Sequence, residues 1–333
     1  MSITYRQAGV DVEAGEEFVN RIKTGVRSTF NANVLADIGA FGAFYDAKFP
    51  GVREPVLVSS VDGVGTKLKV AFLMDRHDTI GQDLVNHCVN DIAVCGAIPL
   101  FFLDYFSTGK LHPKIAEQVI AGMVIACKAN GCALVGGETA EMPGFYRNNE
   151  YDMAGMIVGV VDKKRIFDGK KVKEGDVLIG VPSSGLHTNG YSLARSVLFE
   201  RYEIDDFVPE LDGRVGEALL AVHRSYLRVI QCAAAIAETR AFAHITGGGI
   251  IGNTSRVIPE SLILKVEWKR WERPAIFQLI QKCGNVSEED MRRAFNLGVG
   301  LVIIVAQRSA EKVLKELSGL GEKAFLMGEV IKK

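Results

Sequence analysis

The chain of 333 residues lacks any run of about 18 apolar residues, which is the length that a membrane-spanning helix needs. Its first residues, MSITYRQAGVDVEAGEE, lack the apolar core of a signal peptide. An excess of one charge is also missing, because 39 basic residues are matched by 40 acidic ones without a basic stripe. These absences argue against membrane and nucleic-acid partners. We therefore expect a soluble, cytoplasmic protein.

The six cysteines never form a C-x-x-C pair, which argues against a zinc or redox motif. Most of them lie in apolar or helical stretches, where a free cysteine behaves as a small hydrophobic residue. We therefore expect reduced structural thiols. These residues are Cys88, Cys95, Cys127, Cys132, Cys232 and Cys283.

The length predicts about two domains, since domains usually have roughly 100–200 residues. The charged, turn-rich interval DKKRIFDGKKVKEGD at 162–176 is typical of a domain boundary. We predict an N-terminal domain over residues 1–168 and a C-terminal domain over 169–333. Strands and helices do not alternate strictly in either, so the fold class is α+β rather than a doubly wound parallel sheet.

Local signals place the main helices. Thr79 and Gln82 have the spacing of a capping box and predict a helix over about 80–95. Pro113 is predicted to begin a helix that Gly131 ends, because proline is preferred at the first helical position and glycine just after the last. Further helices are predicted at about 13–29, 189–200 and 214–238, and residues 31–51 are predicted to form a long loop.

Residues 58–67, VSSVDGVGTK, place an acid at the end of a predicted strand and a glycine–lysine turn directly after it. The P-loop pattern G-x-x-x-x-G-K-[ST] is absent. In this turn Thr66 offers a hydroxyl group for a metal ion and Lys67 offers a cation for a phosphate. Taken alone, Asp62 is equally well explained as an ordinary turn residue.

The helix predicted over 80–95 carries short acids and amides on one face. Asp83, His87 and Asp91 recur every four residues and therefore share that face. Short carboxylates suit Mg²⁺, so these two acids and Asp62 are candidates to hold the ion against a triphosphate. We interpret His87 as a hydrogen-bonded helix residue rather than as a metal ligand.

A second strand end, VGGETAEMPG at 135–144, repeats the combination of an acid and glycines. Glu138 and Thr139 follow Gly136 and Gly137, whose amides are placed to form an anion-binding nest. Alone this signal is weak, but it is the second such strand end in one predicted domain. Together the two turns predict a site that binds a nucleotide phosphate chain through metal ions.

The C-terminal half contains three polar, glycine-rich stretches, the third of which, FNLGVG at 295–300, contributes Asn296. SSGLHTNGYSL at 183–193 precedes a helix, which suits anion capture at a helix N-terminus. AHITGGG places His244 on a strand that enters three glycines, so His244 is the best general acid or base by location. Each stretch also fits ordinary loop chemistry, and His244 also fits a hydrogen bond to the glycine turn. The candidates are Ser184, His187, Thr188, Asn189, His244, Gly247, Gly248 and Asn296.

The stretch GGGIIG at 247–252 satisfies the pattern G-x-G-x-x-G of dinucleotide-binding folds. It lies late in the chain, and Glu260 and Glu267 are too near to be the acid expected about 20 positions further on. We therefore do not predict a dinucleotide-binding domain.

Taken together, these motifs resemble a known family. Asp91, Gly96, Ala97 and Pro99 form D-x-x-x-x-G-A-x-P, which resembles the ATP-site signature of the AIR synthetase ATP-binding superfamily. VDGVGTK, LVGGETAEMPG, SSGLHTNGYSL, HITGGG and FNLGVG resemble the AIR synthetase family itself, the phosphoribosylformylglycinamidine cyclo-ligases. The resemblance runs from residue 5 to beyond residue 300. Sister members such as selenophosphate synthetase and thiamine monophosphate kinase share the acid–glycine pattern but not this full set.

The resemblance implies ATP-dependent closure of formylglycinamidine ribonucleotide to aminoimidazole ribonucleotide in purine synthesis, through an iminophosphate. It implies ATP as co-substrate, Mg²⁺, and a homodimer in which the first domain builds a barrel-like sheet. On this basis Lys67 and Asp62 join His244 as catalytic residues, and the metal ligands are Asp62, Asp83, Asp91 and Glu138. The nucleotide residues are Lys23, Gly63, Gly65, Thr66, Lys67, Asp91, Gly136, Gly137, Glu138 and Thr139.

The same sequence leaves two other functions open. A phosphotransferase of the superfamily would leave a phosphorylated product without ring closure. A catalytically silent nucleotide-binding protein is disfavoured, because the acids, Lys67 and His244 are all present.

Overall fold

The computed structural model describes residues 7–39 and 41–333, so residues 5 and 6 of the family resemblance lie outside the described chain. The chain divides into two compact units. The N-terminal unit extends to Ile92 and includes Ile98–Asp162, and the C-terminal unit consists of Ala93–Ala97 and Lys163–Lys333. The division at 162/163 falls at the start of the charged interval, slightly before the predicted boundary at 168/169. Within the described ranges, no helix is long and apolar enough to cross a membrane.

The N-terminal unit is built on a four-stranded sheet with the order β1-β4-β2-β3. Strand β4 is antiparallel to β1 and β2, whereas β2 and β3 are parallel and are joined by a helical crossover. The mixed pairing agrees with the α+β expectation. The strands are β1 (Pro55–Gly63), β2 (Ile98–Thr108), β3 (Ala133–Glu141) and β4 (Tyr151–Asp162).

Four α-helices belong to the described part of this unit. The start of the first is stabilised by Asp11, whose side chain accepts a hydrogen bond from the Ala14 amide at 3.3 Å. Pro113 and Gly131 begin and end the crossover helix as predicted, with Gly131 in the left-handed region at φ +68°. The helices are α1 (Val12–Arg27), α2 (Leu68–Met74), α3 (Ile80–Ala93) and α4 (Pro113–Asn130).

The predicted capping box of α3 is wrong, although the helix is present. The Thr79 hydroxyl has no hydrogen-bond partner in the described part of the chain. The Gln82 side chain donates instead to the Asp78 carbonyl at 3.3 Å, so it does not return to the cap amide. What fixes α3 is its close approach to α4: a Cβ atom on Gly81 would lie 2.0 Å from the Val119 carbonyl oxygen.

The C-terminal unit contains a five-stranded sheet with the order β8-β10-β5-β11-β9, and all its pairs are antiparallel. The central β10, VGLVIIV, is buried along its whole length, which explains its continuous apolar sequence. Two further short strands pair with each other. The strands are β5 (Val177–Pro182), β6 (Phe207–Val208), β7 (Gly213–Arg214), β8 (Thr239–His244), β9 (Leu262–Val266), β10 (Val299–Val305) and β11 (Phe325–Lys332).

The long helix predicted over 214–238 is wrong, because two short helices occupy this range with residues 221–226 between them. Hydrogen bonds from outside the segment hold it in a non-helical path: Ser184 Oγ donates to the Val222 carbonyl, and Tyr226 Oη donates to the Pro182 carbonyl. The helices of this unit are α5 (Tyr191–Leu198), α6 (Val215–Leu220), α7 (Leu227–Ala234), α8 (Gly249–Thr254), α9 (Ala275–Gly284), α10 (Glu288–Ala294) and α11 (Ala310–Gly319).

Candidate functional site

One level of the N-terminal sheet carries residues of both acid-plus-glycine segments. Asp62 pairs with Gly155, Gly155 with Asp104, and Asp104 with Gly137, so the four positions form a row across β1, β4, β2 and β3. Paired residues share a face of the sheet, and neighbouring strands lie about 4.8 Å apart. Asp62 and Asp104 are therefore roughly 10 Å apart on one face, with Gly137 one strand further. The glycine turn predicted at this second segment is wrong, because residues 136–139 lie within β3 and pair with β2.

Strand β1 presents two polar side chains to α3. The Asp62 carboxylate, whose side chain is 36% exposed, accepts from the Gly63 amide at 3.2 Å and lies 3.1 Å from His87 Nε2. Ser60 Oγ donates to Asp91 Oδ2 at 3.1 Å. Burial lowers the pKa of His87, but the carboxylates, led by Asp62, raise it more, so its pKa lies above the ordinary value. These contacts agree with the interpretation of His87 as a hydrogen-bonded helix residue.

Lys67 and Asp83 were expected to bind phosphate and metal, but in the structure they bind each other. Lys67 Nζ lies 2.7 Å from Asp83 Oδ2, and both side chains are fully buried. Burial lowers the pKa of Lys67 against the opposing effect of the carboxylate. Lys67 turns inward because it ends the short 3-10 turn between the buried residues Val64 and Leu68. In this conformation neither side chain is open to a phosphate or a metal ion, and the pair ties the glycine turn to α3.

The predicted shared face of α3 is confirmed. Asp83 contacts Lys67 in the turn, His87 contacts Asp62 at the strand end, and Asp91 contacts Ser60 within the strand. The face thus runs along β1 and its turn, as the four-residue spacing predicted.

A cavity of about 740 Å³ lies between α1, residues 37–39 and 41–43, and the end of β3. Apolar side chains such as Phe18, Val19 and Ile22 of α1 line it, and Glu138 and Thr139 line it at the strand end. An apolar cavity with a few polar groups at one side is typical of a small-molecule site.

The predicted nucleotide residue Lys23 is linked to this cavity through Asp37, which lines it. Lys23 Nζ lies 3.5 Å from Asp37 Oδ2, and Arg27 donates to the same carboxylate. The start of α1 is held against β3, because Glu141 accepts from the Asp11 amide at 2.6 Å. The structure thus brings Lys23, Glu138 and Thr139 to the surroundings of one cavity.

Asp104 lines the same cavity and was not predicted from the sequence. Burial raises the pKa of Asp104 to about 7. Gly137 makes room for it, since a Cβ atom there would lie 2.2 Å from Asp104 Oδ1. The signal that identifies Asp104 is a single acid within the apolar strand FFLDYF.

The C-terminal unit contains a histidine cluster, which we define as His187, His223 and His244. All three side chains are buried. The rings of His187 and His223 stack with centroids 4.0 Å apart, and His223 Nε2 lies 3.0 Å from His244 Nε2. Thr188 Oγ1 lies 3.3 Å from His223 Nδ1. Two histidines and the threonine were predicted site residues, and the structure brings them together.

Other predicted residues of this unit take part in internal hydrogen bonds. Asn296 is buried and bonds to Ser183, Gly185 and Gly298. The Gly248 amide donates to the Arg293 carbonyl at 3.0 Å. These bonds shape the loops. Gly247 is exposed and Asn189 is half-buried, so these two residues are more accessible to a substrate. They lie close together, since a Cβ atom on Gly247 would be 3.2 Å from Asn189 Oδ1.

His223 was missed from the sequence because it lies in AVHRSYL, a segment predicted as helix interior. A helical histidine with no neighbouring motif gives no sign of a site. Its position in the cluster depends on the break at residues 221–226.

Comparisons with known proteins agree with the resemblance. Residues 48–161 match the N-terminal domain, and residues 173–333 the C-terminal domain, of the AIR synthase related protein family. The chain is 49% identical to the phosphoribosylformylglycinamidine cyclo-ligase of Thermoanaerobacter pseudethanolicus, over 99% of this chain and 98% of the relative. It is 52% identical to the protein of that name from Sorangium cellulosum, over 99% and 96%.

Solved structures show the same fold at low sequence identity. The hydrogenase maturation protein HypE of E. coli superposes with a TM-score of 0.69 at 18% identity, over 97% of this chain and 92% of that one. A thiamine-monophosphate kinase from Stenotrophomonas maltophilia gives 0.68 at 14% identity, over 95% and 94%. A structure described as HypE in complex with ATP gives 0.66 at 17% identity, over 99% and 90%.

Proposed function

We propose a function from one premise: this chain belongs to the phosphoribosylformylglycinamidine cyclo-ligase (AIR synthetase) family. The chain catalyses ATP-dependent ring closure of formylglycinamidine ribonucleotide to 5-aminoimidazole ribonucleotide in purine biosynthesis, releasing ADP and phosphate. The observation that carries this function is the identity of about half of all residues with cyclo-ligases over nearly the full length of both chains.

The reaction needs activation, because an amide oxygen is a very poor leaving group. The amide oxygen attacks the γ-phosphorus of ATP, ADP departs, the amide nitrogen loses its proton, and an iminophosphate forms. A nitrogen of the substrate then attacks the activated carbon, the carbon–oxygen bond to phosphate breaks, and a proton leaves the attacking nitrogen. The tasks of the protein are to position the two arms of the substrate and to stabilise charge on the transferred group.

We assign nucleotide binding to the N-terminal unit. The apolar cavity beside β3 suits the adenine base of ATP. Lys23 lies next to this cavity, because it forms an ion pair with Asp37, which lines it. The glycine turn after β1 and the glycine segment within β3 receive the phosphate chain through the amides of Gly63, Gly65, Gly136 and Gly137, with hydroxyl groups from Thr66 and Thr139. Gly65 supports this role, because no atom lies within 4 Å of its added Cβ position and a ligand can approach the backbone.

The carboxylates that remain accessible fit Mg²⁺. Asp62 is partly exposed, Asp91 is half-buried and Glu138 is exposed, and hard oxygen donors of this kind are the ligands that Mg²⁺ prefers. When bound, Mg²⁺ supplies neutralisation of the triphosphate charge. We revise the roles of Lys67 and Asp83 to a buried ion pair that supports the turn, because neither side chain is accessible in this structure.

We assign substrate binding and proton transfer to the C-terminal unit, with His244 as the general acid or base. Ser184, His187, Thr188, Asn189, Gly247, Gly248 and Asn296 form its surroundings. An imidazole has an ordinary pKa near 6.5, so it exchanges protons at neutral pH. Its place at the end of β8, three residues before the exposed Gly247, supports this assignment.

We also propose that the protein is a homodimer. Leu57 and Val61 project from one face of β1 and are 63% and 65% exposed, and Ile98 and Tyr105 of β2 are exposed as well. The registers place Val61 beside Met156 and Met156 beside Leu103, so the apolar face continues across β1, β4 and β2. A second copy of this sheet would cover it and complete a barrel-like interface.

The deciding experiment incubates the purified protein with formylglycinamidine ribonucleotide, ATP and Mg²⁺ and follows both ADP and the aminoimidazole. One aminoimidazole per ADP is the expected result. A phosphorylated but uncyclised product would indicate a phosphotransferase, the reaction type of thiamine monophosphate kinase and selenophosphate synthetase. Binding of ATP without turnover would indicate a silent nucleotide-binding protein.

A further inference from the structure

The segment at residues 221–226 is held so that it delivers one side chain to the histidine cluster. Ser184 Oγ donates to the Val222 carbonyl at 2.5 Å, and Tyr226 Oη donates to the Pro182 carbonyl at 2.9 Å. His223 lies between these two anchors and is fully buried. The segment therefore has a fixed path, and His223 has a fixed place in it.

We propose that His223 is a positioning residue that links Thr188 to His244 in a hydrogen-bonded proton relay. His223 uses both ring nitrogens: Nδ1 lies 3.3 Å from Thr188 Oγ1, and Nε2 lies 3.0 Å from His244 Nε2. The contact to His244 has an ordinary hydrogen-bond length, and the contact to Thr188 is a long hydrogen bond. This inference rests on the proposed role of His244, which it extends by a partner and a path.

The two hydrogen bonds couple the tautomers of the two rings. Two facing Nε2 atoms form a hydrogen bond only if one carries a proton and the other does not. If His223 Nδ1 donates to Thr188, then its Nε2 accepts from His244. If Thr188 donates to His223 Nδ1, then His223 Nε2 donates to His244. Fixing one bond thus fixes the protonated nitrogen of His244.

Passing one proton along the chain converts the first arrangement into the second. When His244 Nδ1 accepts a proton, its Nε2 proton moves to His223 Nε2, and the His223 Nδ1 proton moves to Thr188 Oγ1. The former hydroxyl proton of Thr188 leaves to solvent, since Thr188 is half-buried rather than enclosed. No ring carries a net charge in either end state, which suits a buried site. Before the next turnover, the hydrogen-bonded relay returns to the first arrangement by proton transfer along the reverse path.

The cluster also has the composition of a three-histidine metal site, but its geometry favours the relay. The rings of His187 and His223 are within 12° of parallel with centroids 4.0 Å apart. The lone pairs of an imidazole lie in its ring plane, so two stacked rings cannot both direct one at an ion about 2.0–2.1 Å away. One ring would have to turn out of its stack before a zinc ion could bind.

The kinetic test compares His223→Phe and Thr188→Val in the full-length protein. Phenylalanine keeps a flat ring against His187 but removes both nitrogens, and valine keeps the shape of threonine without its hydroxyl group. Each variant should lower kcat by about tenfold or more, with little change in the KM for ATP. The double variant should be little worse than either single one, because both break one path. Wild-type kcat in His223→Phe with reduced thermal stability would overturn the proposal.

A second readout does not depend on turnover. Histidines labelled with ¹⁵N report their tautomers in long-range ¹H–¹⁵N spectra, with assignments from His223→Phe and His244→Ala. The expected result is one defined tautomer at each of His223 and His244, and averaging at His244 in His223→Phe. An unchanged His244 signal in that variant would overturn the relay.

The same spectra separate the remaining outcomes. Locked tautomers in a protein that forms no aminoimidazole would contradict the proposed function while supporting the hydrogen-bonded link. One equivalent of added ZnCl₂ that shifts all three histidine signals, and that does not bind His223→Phe, would overturn the relay in favour of a metal site.

Discussion

At the residue scale, Asp62 is the side chain that tests the nucleotide site most directly. Its carboxylate ends β1, is partly exposed, and contacts His87 and the Gly63 amide. Asp62→Asn keeps the shape of the side chain but removes the charge proposed to hold Mg²⁺. We expect kcat to fall by about 10²–10³, the cost of one lost charge-stabilising contact, while thermal unfolding stays near that of the wild type.

The control is Asp152→Asn, the same change at an exposed position of β4. It should leave turnover unchanged. Wild-type activity in a well-folded Asp62→Asn protein would remove Asp62 from the metal site.

Asp104 gives a residue-scale prediction for stability against pH. Its pKa is raised by burial from 3.8 to about 7, so between these values the folded protein holds a proton that the unfolded chain has lost. The free energy of unfolding therefore falls as the pH rises from about 4 to about 7. Asp104→Asn removes the titration, so its urea unfolding midpoint should depend less on pH over this window than that of the wild type. An equal flattening in Asp205→Asn, where the side chain is 74% exposed, would contradict the assignment.

At the element scale, the sequence predicted what local rules control. The spacing of Asp83, His87 and Asp91 predicted a helix face, and the structure places all three along β1 and its turn. Pro113 begins α4 and Gly131 ends it. The proline lacks an amide proton and the glycine adopts a left-handed backbone, and both effects act within one helical turn.

Other features of the site depend on contacts that the local sequence does not carry. The break at residues 221–226 follows from hydrogen bonds to Ser184 and Pro182, about 40 positions earlier in the chain. The inward turn of Lys67 follows from its pairing with Asp83. Local sequence patterns therefore could not predict the role of His223 or the burial of Lys67. By contrast, the sequence does show Asp104 as the single acid within the apolar stretch FFLDYF.

The contact between α3 and α4 predicts a large effect from one methyl group. In Gly81→Ala the new Cβ would lie 2.0 Å from the Val119 carbonyl oxygen and 2.5 Å from the Met123 amide nitrogen, both backbone atoms. The helices must separate, so we expect a loss of about 1–3 kcal/mol in the free energy of unfolding. Urea unfolding without nucleotide measures it.

Gly15→Ala in α1 is the matched control, because nothing lies within 4 Å of its added Cβ. Alanine there should stabilise the helix by about 0.5–1 kcal/mol. Equal effects of the two substitutions would mean that close packing at Gly81 is not what holds α3 in place.

At the scale of the whole molecule, the prediction concerns the open face of the N-terminal sheet. Exposed apolar patches of this kind mark interaction surfaces, and here Leu57 and Val61 are accompanied by Ile98 and Tyr105 on neighbouring strands. A second copy of the chain would bury them, so light scattering should give about twice the mass of the 36.2 kDa chain. Leu57→Lys puts a charge in the proposed interface and should yield monomers, because an unpaired buried charge is costly. Leu320→Lys, at an exposed leucine of the C-terminal unit, should remain dimeric. A wild-type protein that stays monomeric at working concentration would show that this face has no partner copy.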